Sequence, residues 1–180
     1  MELDPRSVAN LIILAAKERR KTITNLSLQK ILYFVHGRYL IEEGEPLLRG
    51  SFEAWQYGPV SLSVYDAFKH LGSQNIETYA ERRNVRTGEI ELVPPPSDPD
   101  LRQRIVDLSF PYLSLSAGRL VDLSHAKGSP WDRVTQDSRG ERHFGLRITN
   151  ETIEKYFRFH KIAVSVDPVA GEPNEESPPN

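Results

Sequence analysis

The sequence predicts a mainly α (α+β) fold: a compact helical domain of about six to seven helices, a small antiparallel β element and a disordered C-terminal tail. Apolar residues recur at helical spacing along most of the chain. A period of two appears only in two short stretches, residues 51–56 and 75–93. After residue 166 there is little to bury, so this segment cannot offset its ordering entropy. We therefore expect one domain over residues 1–165 and a disordered acidic, proline-rich tail over residues 166–180.

Composition narrows the class of protein. The chain has 180 residues, 38% of them hydrophobic, which suits a single domain with a sizeable core. With 23 basic and 25 acidic residues its net charge is −2, so no bulk electrostatic attraction draws it to nucleic acid or membranes. It has no cysteine, which excludes disulfides, thiolate metal sites and cysteine nucleophiles. The start has no signal-peptide pattern and no apolar run could span a bilayer, so we expect a cytoplasmic protein without a membrane partner.

The first two helices have clear boundaries. Asp4 and Pro5 form a cap followed by a proline at the first helical position. The second helix is predicted to begin near residues 24–27 and to end at Gly44 and Pro46. The apolar positions at helical spacing are Val8, Leu11, Ile12 and Ala15 in the first helix and Leu28, Ile31, Leu32, Val35 and Tyr39 in the second.

A sharp turn follows the second helix. Alternation over residues 51–56 predicts a short strand, and Gln56-Tyr57-Gly58-Pro59 predicts a turn in which Pro59 opens the third helix. That helix is expected to bury Val60, Val64, Phe68 and Leu71. Over residues 75–93 we expect a β-hairpin in which Val85 pairs across Thr87-Gly88 with Ile90 and Leu92.

The last third of the domain is again helical. Ser97 or Asp98 is predicted to cap a fourth helix, residues 116–125 to form a fifth, and Ser129-Pro130 to begin a short helix carrying Trp131. A strand is expected over residues 145–148, followed by a helix capped by Thr149 or Asn150. Residues expected to face the core are Leu101, Ile105, Leu108 and Tyr112 in the fourth helix and Ile153, Tyr156, Phe157 and His160 in the last.

No catalytic, metal-binding or cofactor-binding residue is predicted, and we expect a protein that is not an enzyme. None of the histidines lies at the i, i+4 spacing of a helical zinc site, and no HExxH motif is present. Asp122, Ser124 and His125 lie close together and suggest a hydrolase, but no GxSxG elbow accompanies them. The five histidines are His36, His70, His125, His143 and His160.

The main alternative function is that of a DNA-binding autorepressor of its own operon. Two helices joined by a short turn carry a basic cluster over residues 17–21, and the expected hairpin carries Arg82, Arg83 and Arg86. The surface of the second helix would add Gln29, Lys30 and Arg38. The basic cluster is also explained as a complement to the C-terminal end of the first helix, and nucleic acid is not expected as the main ligand.

Large amphipathic side chains favour protein binding instead. Gln29, Tyr33 and His36 fall along one stripe of the second helix with Lys30 beside it, flanking the apolar stripe. Tyrosine and tryptophan are enriched at interface hot spots. For Trp55 and Trp131 a place in the core is the favoured interpretation, whereas core and interface both remain open for Tyr33, His36 and Tyr57.

These residues match a known pattern. Over about residues 26–134 the sequence LQKILYF at residues 28–34, GEPL at 44–47, EAWQYGPV at 53–60 and SHAKGSPW at 124–131 resembles the Panacea-domain antitoxin family, which includes SocA-like proteins. The chain departs from the pattern at Arg38-Tyr39, where an aromatic-histidine pair is common, and in its acidic tail.

The resemblance implies a type II antitoxin that neutralises a cognate protein toxin by direct binding. It also implies that the protein acts as a proteolytic adaptor, handing the toxin to a AAA+ protease such as ClpXP. Taken with the aromatic pattern, it assigns toxin binding to Gln29, Lys30, Tyr33, His36, Gln56, Tyr57, Tyr65, His125 and Trp131.

Overall fold

Seven α-helices and five short strands make up the part of the chain that the computed structural model describes, residues 2–137 and 145–157. The predicted mainly α fold class is confirmed. The helices are α1 Pro5–Glu18, α2 Asn25–Glu43, α3 Leu62–Phe68, α4 Pro99–Ser109, α5 Ala117–Ser124, α6 Pro130–Asp137 and α7 Asn150–Tyr156. The strands are β1 Phe52–Trp55, β2 Gly58–Val60, β3 Glu81–Arg83, β4 Ile90–Leu92 and β5 Arg147–Ile148.

Local capping explains where the first two helices begin and end. Asp4 caps α1 by accepting a hydrogen bond from the backbone N–H of Arg6 at 2.9 Å. Thr24 and Ser27 form a reciprocal capping box at the start of α2. Gly44 ends α2 in the left-handed region at φ +75°, a conformation that costs glycine little. The boundaries expected for these two helices are confirmed.

Helix α2 is the central element of the fold. Every residue from Asn25 to Gly37 is buried, because α1, α3, α4, α5, α7 and β2 all pack against it. The absence of a β-carbon at Gly37 lets the Phe157 ring approach the helix backbone, since a β-carbon there would lie 2.4 Å from Phe157 Cε2. A helix enclosed in this way has no solvent-facing side over its first three turns.

Aromatic rings fill the space on one side of α2. Tyr33 makes edge-to-face contacts with Phe52 and Phe157, with ring centroids 5.4 and 5.7 Å apart. Phe34 stacks on Tyr112 at 4.9 Å. Such contacts add to the burial of large apolar surface. They join the helical core to β1 and α7, and so fix the sheet against α2.

The main sheet has three strands in the order β2-β1-β5, all antiparallel. The strand expected at residues 51–56 is confirmed as β1, but the expectation that Pro59 opens the third helix is wrong. Pro59 lies in β2 opposite Ala54, and α3 begins only at Leu62, after Ser61. Proline is tolerated there because β2 is an edge strand that needs no N–H at this position.

A two-stranded hairpin, β3-β4, projects from α1. It is held at its base by Asn10, whose side chain bonds to the N–H and C=O of Ala80 and to the C=O of Val93. The hairpin expected at residues 75–93 is confirmed, but Val85 pairs with neither Ile90 nor Leu92. Val85 lies in the turn with a fully exposed side chain, because the strand before it ends at Arg83.

The later elements follow the expected order. Asp98 caps α4, Ser116 caps α5 and Thr149 caps α7, while Ser129 Oγ accepts the N–H of Asp132 at the start of α6. Ile153 and Phe157 are buried as expected. The expectations for His160 and for a disordered tail over residues 166–180 concern residues outside the described part of the chain.

Candidate partner-binding site

Two polar side chains of α2 hold the β2 strand from inside the protein. Gln29 Oε1 accepts the N–H of Ser61 at 2.9 Å, and its Nε2 donates to Asn25 Oδ1 at 3.1 Å. Lys30 is fully buried, and its Nζ donates to the C=O of Pro59 at 3.1 Å. Burying such groups without partners is costly, so these bonds determine where the chain crosses α2.

At Gly58 the backbone of β2 comes closest to the side chains of α2 and α5. Its φ is +103°, and a β-carbon there would lie 2.5 Å from Ser124 Oγ and 3.0 Å from Lys30 Cε. Both the backbone conformation and the space therefore require glycine. The turn brings β2 against α2 on one side and α5 on the other.

His36 is a second buried polar anchor. Its Nδ1 accepts the N–H of Leu48 at 3.2 Å, which places the ring proton on Nε2, where it is donated to Asn150 Oδ1 at 2.9 Å. Burial lowers the pKa of His36 to about 4, although the bond to Asn150 acts in the opposite direction. The imidazole is thus neutral and joins α2 to the loop before β1 and to the start of α7.

Tyr33 is completely buried within the aromatic cluster. Its hydroxyl has no hydrogen-bond partner among the residues that the structure describes, and burial raises its pKa. Its ring contacts are those of a core residue, which settles the choice left open between core and interface.

Four of the nine residues assigned to toxin binding are therefore core residues. Gln29, Lys30, Tyr33 and His36 are each at most 1% exposed, so the expectation that they are presented to a partner is wrong for this structure. The physical reason is the enclosure of α2 on all sides, which the polar residues along its stripe do not reveal.

The other five assigned residues lie around the end of β1. Trp131 Nε1 donates to the C=O of Trp55 at 2.8 Å, and the Trp131 ring stacks on His125 with centroids 3.7 Å apart. Tyr65 packs edge-to-face on Trp55 at 4.7 Å. Trp55 itself is 4% exposed, as the core interpretation predicted, whereas Trp131 is half-buried.

The turn completes this surface. Gln56 is exposed, and Tyr57 is half-buried against a small cluster of Leu26, Ala117 and Val121. Leu62, one turn before Tyr65 on α3, is 44% exposed. We call this group the Trp55 surface; its residues are Gln56, Tyr57, Leu62, Tyr65, His125 and Trp131.

Leu62 is the one member of the Trp55 surface that the sequence does not point to. It lies off the buried stripe of Val64 and Phe68, on the exposed side of α3. The centre of the Trp55 surface carries little charge, because His125 is neutral near pH 7. Burial lowers the pKa of His125 to about 4, the Lys30 charge acts in the same direction, and Asp132 opposes both.

The geometry gives no support to the alternative functions considered from the sequence. The Ser124 hydroxyl is fully buried and donates to the C=O of Val121 at 2.8 Å, so it is not presented as a nucleophile. Over residues 2–137 and 145–157, no three His, Cys, Asp or Glu side chains are grouped to hold a metal ion. Within the same ranges, no helix is both long and apolar enough to cross a membrane.

The DNA-binding hypothesis loses its expected surface on α2. Gln29 and Lys30 are buried, and Arg38 pairs with Glu42 at 3.0 Å. In the basic cluster, Lys17 donates to the C=O of Glu77 at 2.7 Å and Arg19 to that of Ala15 at 3.1 Å. These bonds give the two cluster residues roles within the fold.

Comparisons with known proteins agree with the resemblance seen in the sequence. The family described as Antitoxin SocA-like, Panacea domain, matches residues 28–132, more than half of the chain. The chain belongs to this SocA-like antitoxin family. Antitoxin SocA from Caulobacter vibrioides (strain NA1000 / CB15N) is 41% identical over 178 residues, which cover 99% of this chain and 95% of that protein. No solved structure gives a significant match.

The boundaries of the Panacea match are informative. The matched span begins at Leu28 in α2 and ends at Asp132, next to Trp131. It therefore contains both the buried anchors of α2 and the whole Trp55 surface. The matched span thus includes residues that hold the turn and residues of the Trp55 surface.

The contact at Gly58 yields a test of the fold at this site. Gly58→Ala is expected to destabilise the protein by about 2–4 kcal/mol, because the side chain adds overpacking against Ser124 and Lys30 to the cost of a positive φ. Gly50→Ala is the matched control, since Gly50 also has a positive φ, +87°, but an added β-carbon meets nothing within 4 Å. Urea unfolding measures both. An equal loss in the two variants would contradict the close contact.

Burial of His36 predicts a pH dependence of stability. Its pKa is about 4 in the folded protein and 6.5 in the unfolded chain, so between these values the unfolded state binds more protons. The free energy of unfolding should therefore fall by about 3 kcal/mol for this group as the pH drops from 6.5 to about 4.

The test is to compare wild-type protein with His36→Gln by urea unfolding across that pH window. The variant should show a flatter dependence, because the buried imidazole is gone while the contribution of His125 remains. His70→Gln, which removes an exposed histidine, is the control. An unchanged slope in His36→Gln would show that the ring is accessible to protons in the folded state.

Proposed function

We propose that this protein is a non-enzymatic antitoxin of a type II toxin-antitoxin system, and that it neutralises its cognate protein toxin by binding it through the Trp55 surface. One observation carries the proposal: in a chain of the SocA-like antitoxin family, five assigned residues lie around Trp55. Gln56 and Tyr57 follow it in the chain, Tyr65 and Trp131 contact it, and His125 stacks on Trp131. Family membership supports the antitoxin role, and the grouping around Trp55 supports the location.

The physical character of the surface suits protein binding. Aromatic side chains offer a large contact area at low conformational cost, and they are enriched among interface hot spots. Leu62 adds an exposed apolar contact, and the neutral His125 adds no charge that a partner would have to desolvate. Because Trp55 and Trp131 are fixed by the hydrogen bond between them, little freedom is lost on binding.

We further propose that the protein acts in the cytoplasm as a proteolytic adaptor. In this role, it presents the bound toxin to a AAA+ protease such as ClpXP. This part of the proposal rests on the family resemblance. It requires that the toxin occupy the Trp55 surface while other surfaces of the antitoxin remain free for the protease.

A charge placed on the surface should disrupt toxin binding. Leu62→Asp is expected to weaken affinity for the product of the adjacent open reading frame at least tenfold, about 1.4 kcal/mol, since a carboxylate would replace an apolar contact. Isothermal titration calorimetry, with the antitoxin and the toxin purified separately, measures this loss.

Val85→Asp is the matched control, because Val85 is a fully exposed apolar residue in the turn of the β3-β4 hairpin. It introduces the same charge away from the Trp55 surface and should leave affinity unchanged. Wild-type affinity in Leu62→Asp and in a second exposed variant, Gln56→Asp, would contradict the proposed location.

The adaptor role makes a separate prediction. Degradation of purified toxin by the AAA+ protease should require this protein in amounts stoichiometric with the toxin, because one adaptor presents one toxin molecule. Leu62→Asp should slow turnover at subsaturating concentrations, and Val85→Asp should not. Rapid toxin degradation without the protein would remove the adaptor role but leave neutralisation by binding intact.

A further inference from the structure

An open groove of about 550 Å³ lies beside the Trp55 surface. It is lined by the start of α1, by the loop before β1, by the first residues of α3 and by Arg147 of β5. Glu53 and Leu62 lie at the boundary between the groove and the Trp55 surface, because Trp55 Nε1 donates to Glu53 Oε2 at 2.8 Å. The groove lies outside the set of residues assigned from the sequence.

The acidic groups in the groove already have partners. Asp4 accepts two hydrogen bonds from the guanidinium of Arg6, at 3.1 and 2.8 Å, and one from its backbone. Burial raises the pKa of Asp4, but the bonds from Arg6 and the nearby charge of Arg49 leave it lowered overall. Glu53 accepts the Trp55 indole N–H. The indole bond leaves the negative charge of Glu53 in place, and Glu53 lies opposite Arg147 in the pairing of β1 with β5. The groove therefore holds two carboxylates against three arginines, an excess of one positive charge.

Two arginines in the groove are not matched in this way. Arg49 and Arg147 are exposed, and within the described ranges neither guanidinium forms an ion pair or hydrogen bond. A guanidinium presents a planar set of donors that matches a carboxylate. The ligand chemistry that suits the groove is thus a chain segment that carries carboxylates.

The protein itself contains such a segment. Residues 166–180 carry Asp167, Glu172, Glu175 and Glu176 and no lysine or arginine. We propose that this C-terminal segment binds in the groove, with its carboxylates on Arg49 and Arg147. The charges of the segment and of the groove are complementary, and both belong to one chain.

The tether is long enough for this contact. Arg147 precedes α7, whose seven residues span about 10 Å, so the described chain ends at Phe157 within reach of the groove. Fifteen residue steps separate Phe157 from Glu172 and cover at most about 50 Å. A tethered ligand at this separation has an effective concentration of about 1 mM, so even a weak site is occupied for much of the time.

Occupation would place acidic residues at the edge of the Trp55 surface. A partner that brings its own acidic segment to Arg49 and Arg147 would then have to displace the tail. The tail contact depends only on the groove and its charges, and it holds whether or not the Trp55 surface binds a toxin.

Paramagnetic relaxation in the full chain tests this contact. The chain has no cysteine, so Ser177→Cys carries a single nitroxide label. At a millimolar effective concentration even a weakly bound tail is close to the groove for part of the time, so the amide signals of Gly50, Ser51 and Ser63 should lose most of their intensity relative to the reduced label. Amides of Leu14 and Gln103, which line a different groove between α1 and α4, should not.

Charge variants establish the cause of the loss. Arg49→Glu and Arg147→Glu should each restore the signals, as should Glu175→Gln combined with Glu176→Gln on the tail side. Arg86→Glu is the matched control, since it reverses an exposed arginine on the hairpin turn and should leave the signal loss in place. The loss should also disappear at about 1 M salt, where the Debye length is about 3 Å.

Three results would overturn the proposal. The groove amides could keep full intensity, which would leave the groove open to an external acidic segment. The loss could survive both arginine reversals, which would show a contact not based on these charges. It could also persist undiminished when nitroxide and ¹⁵N are on different molecules, which would assign the groove to the tail of a second copy.

Discussion

The hydrogen bonds from Lys30 and Gln29 of α2 to the backbone of residues 59–61 are the constraint on which the rest of the structure depends. A lysine amine and a glutamine amide are buried in the centre of the domain, and each needs a partner there. Lys30 finds it in the C=O of Pro59 and Gln29 in the N–H of Ser61. These bonds fix β2 and the start of α3, and they leave room above Gly58 only for a residue without a side chain.

The positions of the residues in the Trp55 surface depend on these buried hydrogen bonds. Trp55 ends the strand that pairs with β2, and Trp131 is attached to that strand through its indole N–H. Displacing the strand would therefore move the aromatic surface as one unit. The buried residues of α2 within the family match therefore hold the exposed ones at fixed positions. A variant of Lys30 would be expected to alter partner binding without touching the partner.

Local signals explain why much of the fold could be predicted from the sequence. Asp4, Thr149 and Gly44 act within one turn of their own positions, so the helix ends they set are readable directly. Burial of Lys30 depends instead on neighbours distant in sequence, and a charged residue in a polar stripe is ordinarily exposed. Pro59 fits a helix start equally well as an edge strand, and only its pairing with Ala54 decides between them.

The attachment of the β3-β4 hairpin has a consequence for how this chain can be altered. The side chain of Asn10 bonds to backbone groups at both ends of the hairpin, while the strands between carry mostly exposed side chains. The packing of the domain therefore ends at the base of the hairpin, and the tip of the hairpin contributes no side chain to the core. Between Ala80 and Val93 the chain should accept insertions, peptide tags or a shortened loop without a change in the core.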